Sequence, residues 1–119
     1  MDRHLTITLS PDWRAGLRNA AESIVRGADS GEYQGEKLNF ESPAVFFGKL
    51  TEKRWDLVRL LQSEKPSGVR EIARLIGRDV RRVHDDLQVL VELGLIEKVD
   101  GVLTCPFRDI HVDMHLMAA

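Results

Sequence analysis

The stretch Gly68-Val69-Arg70-Glu71-Ile72-Ala73-Arg74-Leu75-Ile76-Gly77-Arg78-Asp79-Val80-Arg81-Arg82-Val83-His84-Asp85-Asp86-Leu87 constrains the fold more than any other part of the chain. It reads as a short helix, a tight turn at Gly77 and a second helix opened by Asp79. Val69, Ile72, Ala73 and Ile76 recur at helical spacing and form one apolar stripe, while Val80, Val83, Leu87, Leu90 and Val91 form another. Ala73 is small enough for the two helices to cross closely. Gly77 can adopt the positive φ that the turn needs, and the Asp79 carboxylate suits an N-cap. With these stripes facing inward, Arg70 and Arg74 point outward from the first helix. At 100° per residue, Arg81, Arg82 and Asp85 point outward from the second. A helix-turn-helix with a basic outer face is the expected result, and such a face suits DNA.

The flanking residues extend the pattern. Leu93-Gly94-Leu95-Ile96 ends the second helix at a glycine and leads into an apolar strand. Glu97, Lys98 and Val99 reach Asp100-Gly101, a hairpin turn signal, and Val102-Leu103-Thr104-Cys105 returns as the partner strand. Upstream, Thr51 to Leu61 supplies a supporting helix with Thr51 as N-cap and Leu57, Val58 and Leu61 inward, and Lys65-Pro66-Ser67-Gly68 is a break. Helix, helix-turn-helix and β-hairpin in this order predict a winged helix.

Outside that module the chain alternates between strand and helix patterns. Leu5, Ile7 and Leu9 alternate with Thr6 and Thr8, as in a half-buried strand. Ser10-Pro11 opens a helix whose stripe of Trp13, Leu17, Ala20, Ala21, Ile24 and Ala28 is the expected dimer interface. Residues 37–41 suggest a strand, and Ser42-Pro43 caps a short helix bearing Val45 and Phe46. Ile110, Val112, Met114 and Leu116 alternate with His111, Asp113 and His115 near the C-terminus, and the strand around Ile7 or Val112 is expected to pair across a twofold axis. The fold class is therefore α+β: a winged helix-turn-helix with an N-terminal strand-helix-strand extension and a C-terminal strand. Residues 1–49 form a dimerisation or docking extension, 50–107 the DNA-binding domain, and 108–119 the terminal strand and tail.

Charge decides how such a module would meet DNA. The chain of 119 residues carries a net charge of −2, so a tight nonspecific coat on DNA is excluded. Between Gly68 and His84, however, five arginines face only Glu71 and Asp79, placing cations where phosphates would lie. No apolar run approaches the roughly 20 residues of a membrane helix, and the N-terminus lacks a signal-peptide pattern. The single cysteine, Cys105, permits no internal disulfide, and a cytoplasmic location is expected.

Two sets of residues carry the resemblance to known proteins. Leu50-Thr51-Glu52-Lys53-Arg54-Trp55 is one, and Gly77-Arg78-Asp79-Val80-Arg81-Arg82-Val83-His84-Asp85-Asp86-Leu87, followed by Glu92-Leu93-Gly94-Leu95-Ile96, is the other. From Leu50 to Leu116 the chain resembles winged-helix transcriptional regulators related to the MarR and ArsR groups. More narrowly, it resembles a small family of DNA-binding proteins with a Leu-Thr-x-Lys-Arg-Trp opening, whose upstream pattern Phe40-Glu41-Ser42 also fits. The resemblance implies DNA binding and, for some members, an antitoxin role toward a small toxin. Asp85 and Asp86 depart from the broader class, where basic or neutral polar residues are common, although a carboxylate can accept from cytosine N4.

Other chemistry finds less support. The arginines could simply solvate two helix faces, pairing with Glu71, Asp85 and Asp86. His111, Asp113 and His115 share a strand face but lack a fourth ligand for zinc. His84 suits helix packing or a phosphate contact. No nucleotide-binding glycine loop, nucleophile elbow or metal-binding helix pattern occurs, so no enzyme activity, metal or cofactor is expected. The expected function is a sequence-specific, homodimeric transcriptional regulator of double-stranded DNA, a repressor of its own or a nearby operon. Arg81 and Arg82 would reach base edges or flanking phosphates, with Asp85 as a negative discriminator. Arg70, Arg74, Arg78 and His84 would meet phosphates, and Lys98 the adjacent minor-groove edge. The alternative is a protein-interaction module, such as an antitoxin that binds a small toxin.

Overall fold

The computed structural model describes residues 2–11, 35–63, 65 and 67–114. They form an α+β arrangement of five strands and four helices. In order these are β1 (Arg3–Leu9), β2 (Glu36–Phe40), α1 (Pro43–Lys49), α2 (Glu52–Ser63), α3 (Val69–Ile76), α4 (Val80–Leu93), β3 (Glu97–Val99), β4 (Val102–Thr104) and β5 (Phe107–Asp113). Two compact units result, one of Met1–Gly48 with Asp109–Ala119 and the other of Lys49–Arg108.

In the first unit β1 lies between β2 and β5. It runs parallel to β2 in a register that sets Ile7 opposite Leu38 and Leu9 opposite Phe40. Leu5 and Ile7 are buried, as the alternation predicts. Arg3 Nη2 meets Glu36 at 2.7 Å across the strand pair. The Ser42 hydroxyl accepts the Val45 N–H at 3.2 Å and so starts α1. Phe46 is buried from that helix and meets Phe40 edge to face, with centroids 5.4 Å apart. β1 has a strand on each side, so the outer edges of this sheet are those of β2 and β5.

The second unit is built around the two stripes. Ile72 and Ala73 from α3 and Val83, Leu87 and Leu90 from α4 are buried against Leu57, Val58 and Leu61 of α2. Gly77 ends α3 with φ of 71°, and its N–H donates to the Ala73 carbonyl. Asp79 then caps α4, its side chain accepting the Arg82 N–H at 3.2 Å. Gly94 closes α4 with φ of 86°, after which Leu95 and Ile96 turn into the core. Asp100 and Gly101, with φ of 53° and 78°, make a turn with two left-handed residues, the geometry that matches the twist of a two-stranded ribbon.

Two features differ from the sequence reading. Val80 is 44% exposed rather than part of the inner stripe, because it begins the helix beside the turn. Ser67, read only as part of a break, joins the hairpin: its N–H donates to Leu103 O at 3.3 Å and its carbonyl accepts from Leu103 N–H at 2.8 Å. This bridge fixes the hairpin to the start of α3. No helix among the described residues is long and apolar enough to cross a membrane.

Candidate nucleic-acid interface

The exposed side of α4 is laid down by its buried one. Val83, Leu87 and Leu90 face the core, which turns Arg81, Arg82, His84, Asp85 and Gln88 to the surface. The two arginines occupy the first turn, where unpaired backbone N–H groups already make the field positive. Arg70 is exposed in the first turn of α3, and Lys98 is exposed on β3. Among the described residues, the side chains of Arg70, Arg81, Arg82 and Lys98 have no hydrogen bond or ion pair.

Arg74 and Arg78 are placed differently. Arg74 pairs with Glu71 one turn earlier on α3, its Nε donating to Oε2 at 3.0 Å and Nη2 meeting Oε1. The hydrogen bond and charge of Arg74 hold the Glu71 carboxyl below its ordinary value. Arg78 turns inward: its Nη2 donates to Asp86 Oδ2 at 2.7 Å, while Arg54 Nε donates to Oδ1 of the same carboxylate at 3.1 Å. Arg54 Nη1 also donates to the Lys49 carbonyl at 2.7 Å. The side chains of Arg54, Arg78 and Asp86 are only 20%, 19% and 17% exposed. Partial burial works to raise the Asp86 pKa, but hydrogen bonds and charges from Arg78 and Arg54 outweigh it and leave the carboxyl below its usual range. Arg78 Nη1 is buried without a hydrogen-bond partner.

Sequence reasoning offered Asp86 as a partner for the nearby arginines but missed Arg54, which lies 32 residues away. A signal was nonetheless present. Asp86 stands next to Leu87 on the flank of the inner stripe, and a carboxylate near a core requires a cation. Its neighbour Asp85 diverges by about 100° and has a side chain 73% exposed, 3.5 Å from His84 Nδ1.

His84, Gln88 and Lys98 share the rim of a small hollow floored by Val69, Leu87, Val91 and Leu103. Its volume of about 10 Å³ admits little more than one water. It therefore marks where the hairpin adjoins α4 rather than a seat for a small molecule. Lys98 lies between the exposed acids Glu97 and Asp100, so the hairpin offers one cation in a locally acidic setting.

The remaining candidates fall elsewhere. Trp13, Leu17, Ala20, Ala21, Ile24 and Ala28 lie outside the described residues. His111 and Asp113 are exposed on β5, and His115 lies outside the described residues. No group of three or more metal-capable side chains occurs among the described residues. Burial pushes the Cys105 thiol pKa up, and the Glu97 charge adds to the rise.

These features define an α+β protein whose larger unit exposes an arginine-led helix face beside a hairpin. The chain belongs to the HVO_A0114 family, whose model matches residues 49–112, more than half its length. No curated protein and no solved structure matches it.

Proposed function

We propose that this protein is a sequence-specific DNA-binding transcriptional regulator with a winged helix-turn-helix as its larger unit. In this reading α3 and α4 are the helix-turn-helix, α4 lies in the major groove, and the β3–β4 hairpin is the wing. The observation that carries it is the division of the basic residues. Arg70, Arg81, Arg82 and Lys98 are exposed with no ion pair among the described residues, whereas Arg74 and Arg78 are paired within the unit. Arginines kept unpaired at a helix start are suited to guanine edges and phosphates. Arg81 and Arg82 read or clamp the groove, Arg70 holds a flanking phosphate, and Arg78 serves as an internal brace. The regulator is a cytoplasmic homodimer, joined through the apolar stripe of Trp13, Leu17, Ala20, Ala21, Ile24 and Ala28, that represses its own or a nearby operon.

Selection of duplexes from a random pool tests the proposal. Enrichment of a defined site, lost when Arg81 and Arg82 are both alanine, is expected. A pool that stays random over successive rounds would contradict it.

A second reading, a protein-interaction module such as an antitoxin, draws on a different observation. Helix α1 exposes Val45 at 43% and Phe47 at 57%, an apolar surface suited to a protein partner. Co-expression with the product of the neighbouring reading frame separates the two. A stable complex broken by Phe47→Glu favours docking; no complex leaves α1 without that role.

A further inference from the structure

We propose that Asp86 is a positioning residue for DNA recognition: by gripping Arg78 and Arg54 together it sets how α4 presents Arg81 and Arg82, and thereby governs choice of sequence rather than general attraction to DNA. The inference rests on the DNA-binding reading of α4.

One carboxylate joins three separate parts of the unit. Its Oδ2 accepts from Arg78, in the turn that precedes α4, and its Oδ1 accepts from Arg54, in the first turn of α2. Arg54 continues the chain of bonds to the Lys49 carbonyl. The turn before α4 and the first turn of α2 are thus both tied to the second turn of α4 by charge-assisted bonds that have direction as well as strength, where the apolar contacts beneath them have little direction. Arg78 Nη1 is left buried and unbonded, so the inward pose of Arg78 depends on its bond to Asp86. Without the carboxylate, two guanidinium groups would face each other, and Arg78 would swing toward solvent and carry the turn with it. A reading site displaced by a fraction of an ångström loses selectivity while its net charge stays intact.

The sign of the effect distinguishes positioning from simple electrostatics. A carboxylate close to a phosphate backbone repels it, so if Asp86 were only a charge, its removal would tighten binding to every duplex. Positioning predicts the opposite for the preferred site. The experiment titrates wild type, Asp86→Asn, Asp86→Glu and Arg81→Ala/Arg82→Ala against the duplex selected from the random pool and an unrelated duplex, with circular dichroism melts of each protein. Asp86→Asn is expected to lose about tenfold or more on the selected duplex, to hold or gain on the unrelated one, and to be largely rescued by Asp86→Glu. A folded Asp86→Asn that binds the selected duplex as tightly as wild type overturns the proposal. Should Asp86→Asn be unfolded, Arg54→Lys replaces it, keeping the charge but not the two simultaneous hydrogen bonds to Asp86 and the Lys49 carbonyl. Unchanged selectivity in folded Arg54→Lys would equally overturn the proposal. If wild type itself fails to discriminate, the DNA reading falls and takes this inference with it. If wild type discriminates and the double alanine variant does not, while Asp86→Asn does, the positioning role alone is wrong.

Discussion

Arg70 and Arg74 stand one helical turn apart on the same short helix, yet the proposal gives them different work. Arg74 is held by Glu71, and an exposed pair of this kind is worth little to stability, so Arg74→Ala should leave the melting temperature almost unchanged. Arg70→Ala should instead weaken binding to selected and unrelated duplexes alike and lower the slope of log affinity against log salt by about 1. Equal effects of the two variants would merge the groups that the geometry separates. Asp86 adds a pH signature. Its native pKa lies below the ordinary value, so its contribution to stability is present above about pH 4, the unfolded aspartate range, and is lost as pH falls through the native value. Denaturant titrations should show Asp86→Asn less stable by about 1–3 kcal/mol near neutrality, with the deficit shrinking in acid. At this scale the sequence reveals pairs set by helical spacing, such as Glu71 with Arg74, and the outward pointing of Arg81 and Arg82. It conceals the second partner of Asp86, because nothing local relates position 86 to position 54.

The elements were more legible than their contacts. Thr51, Asp79, Gly77, Gly94 and Asp100-Gly101 each have a local reason to start, stop or turn the chain, and each occupies that place. Asp79→Ala should cost about 1 kcal/mol through loss of the bond to the Arg82 N–H. Gly77→Ala should cost about 1–2 kcal/mol from its positive φ alone, since open space surrounds the missing Cβ. Thermal melts of both check these values, and a neutral Gly77→Ala would deny the left-handed cap. What sequence periodicity did not show was Ser67 joining Leu103, a pairing made by tertiary approach within a segment dominated by turn residues. Nor did it show Val80 at the surface, because an apolar stripe says which side of a helix faces inward but not how far along that side the neighbouring helix reaches.

At the scale of the whole molecule, β1 was readable as a strand from its alternation. Its parallel pairing with β2 fits the strand-helix-strand order read from the sequence, whereas the register that sets Ile7 opposite Leu38 left no local mark. The dimer proposed from the stripe at Trp13 and Leu17 makes its own prediction. Leu17→Asp should yield a folded monomer by light scattering and circular dichroism, and the selected site should hold inverted half-sites about 10 base pairs apart or a multiple of that. A wild type monomeric at micromolar concentration would remove the premise. The central claim, that the first turn of α4 reads DNA, is tested most directly by fluorescence titration of the Arg81→Ala/Arg82→Ala variant on the selected duplex over a range of salt. The account predicts a loss of about 1–3 kcal/mol for each contact removed, a shallower salt slope and an unchanged melting temperature. Unaltered affinity and slope in a folded double variant would contradict it.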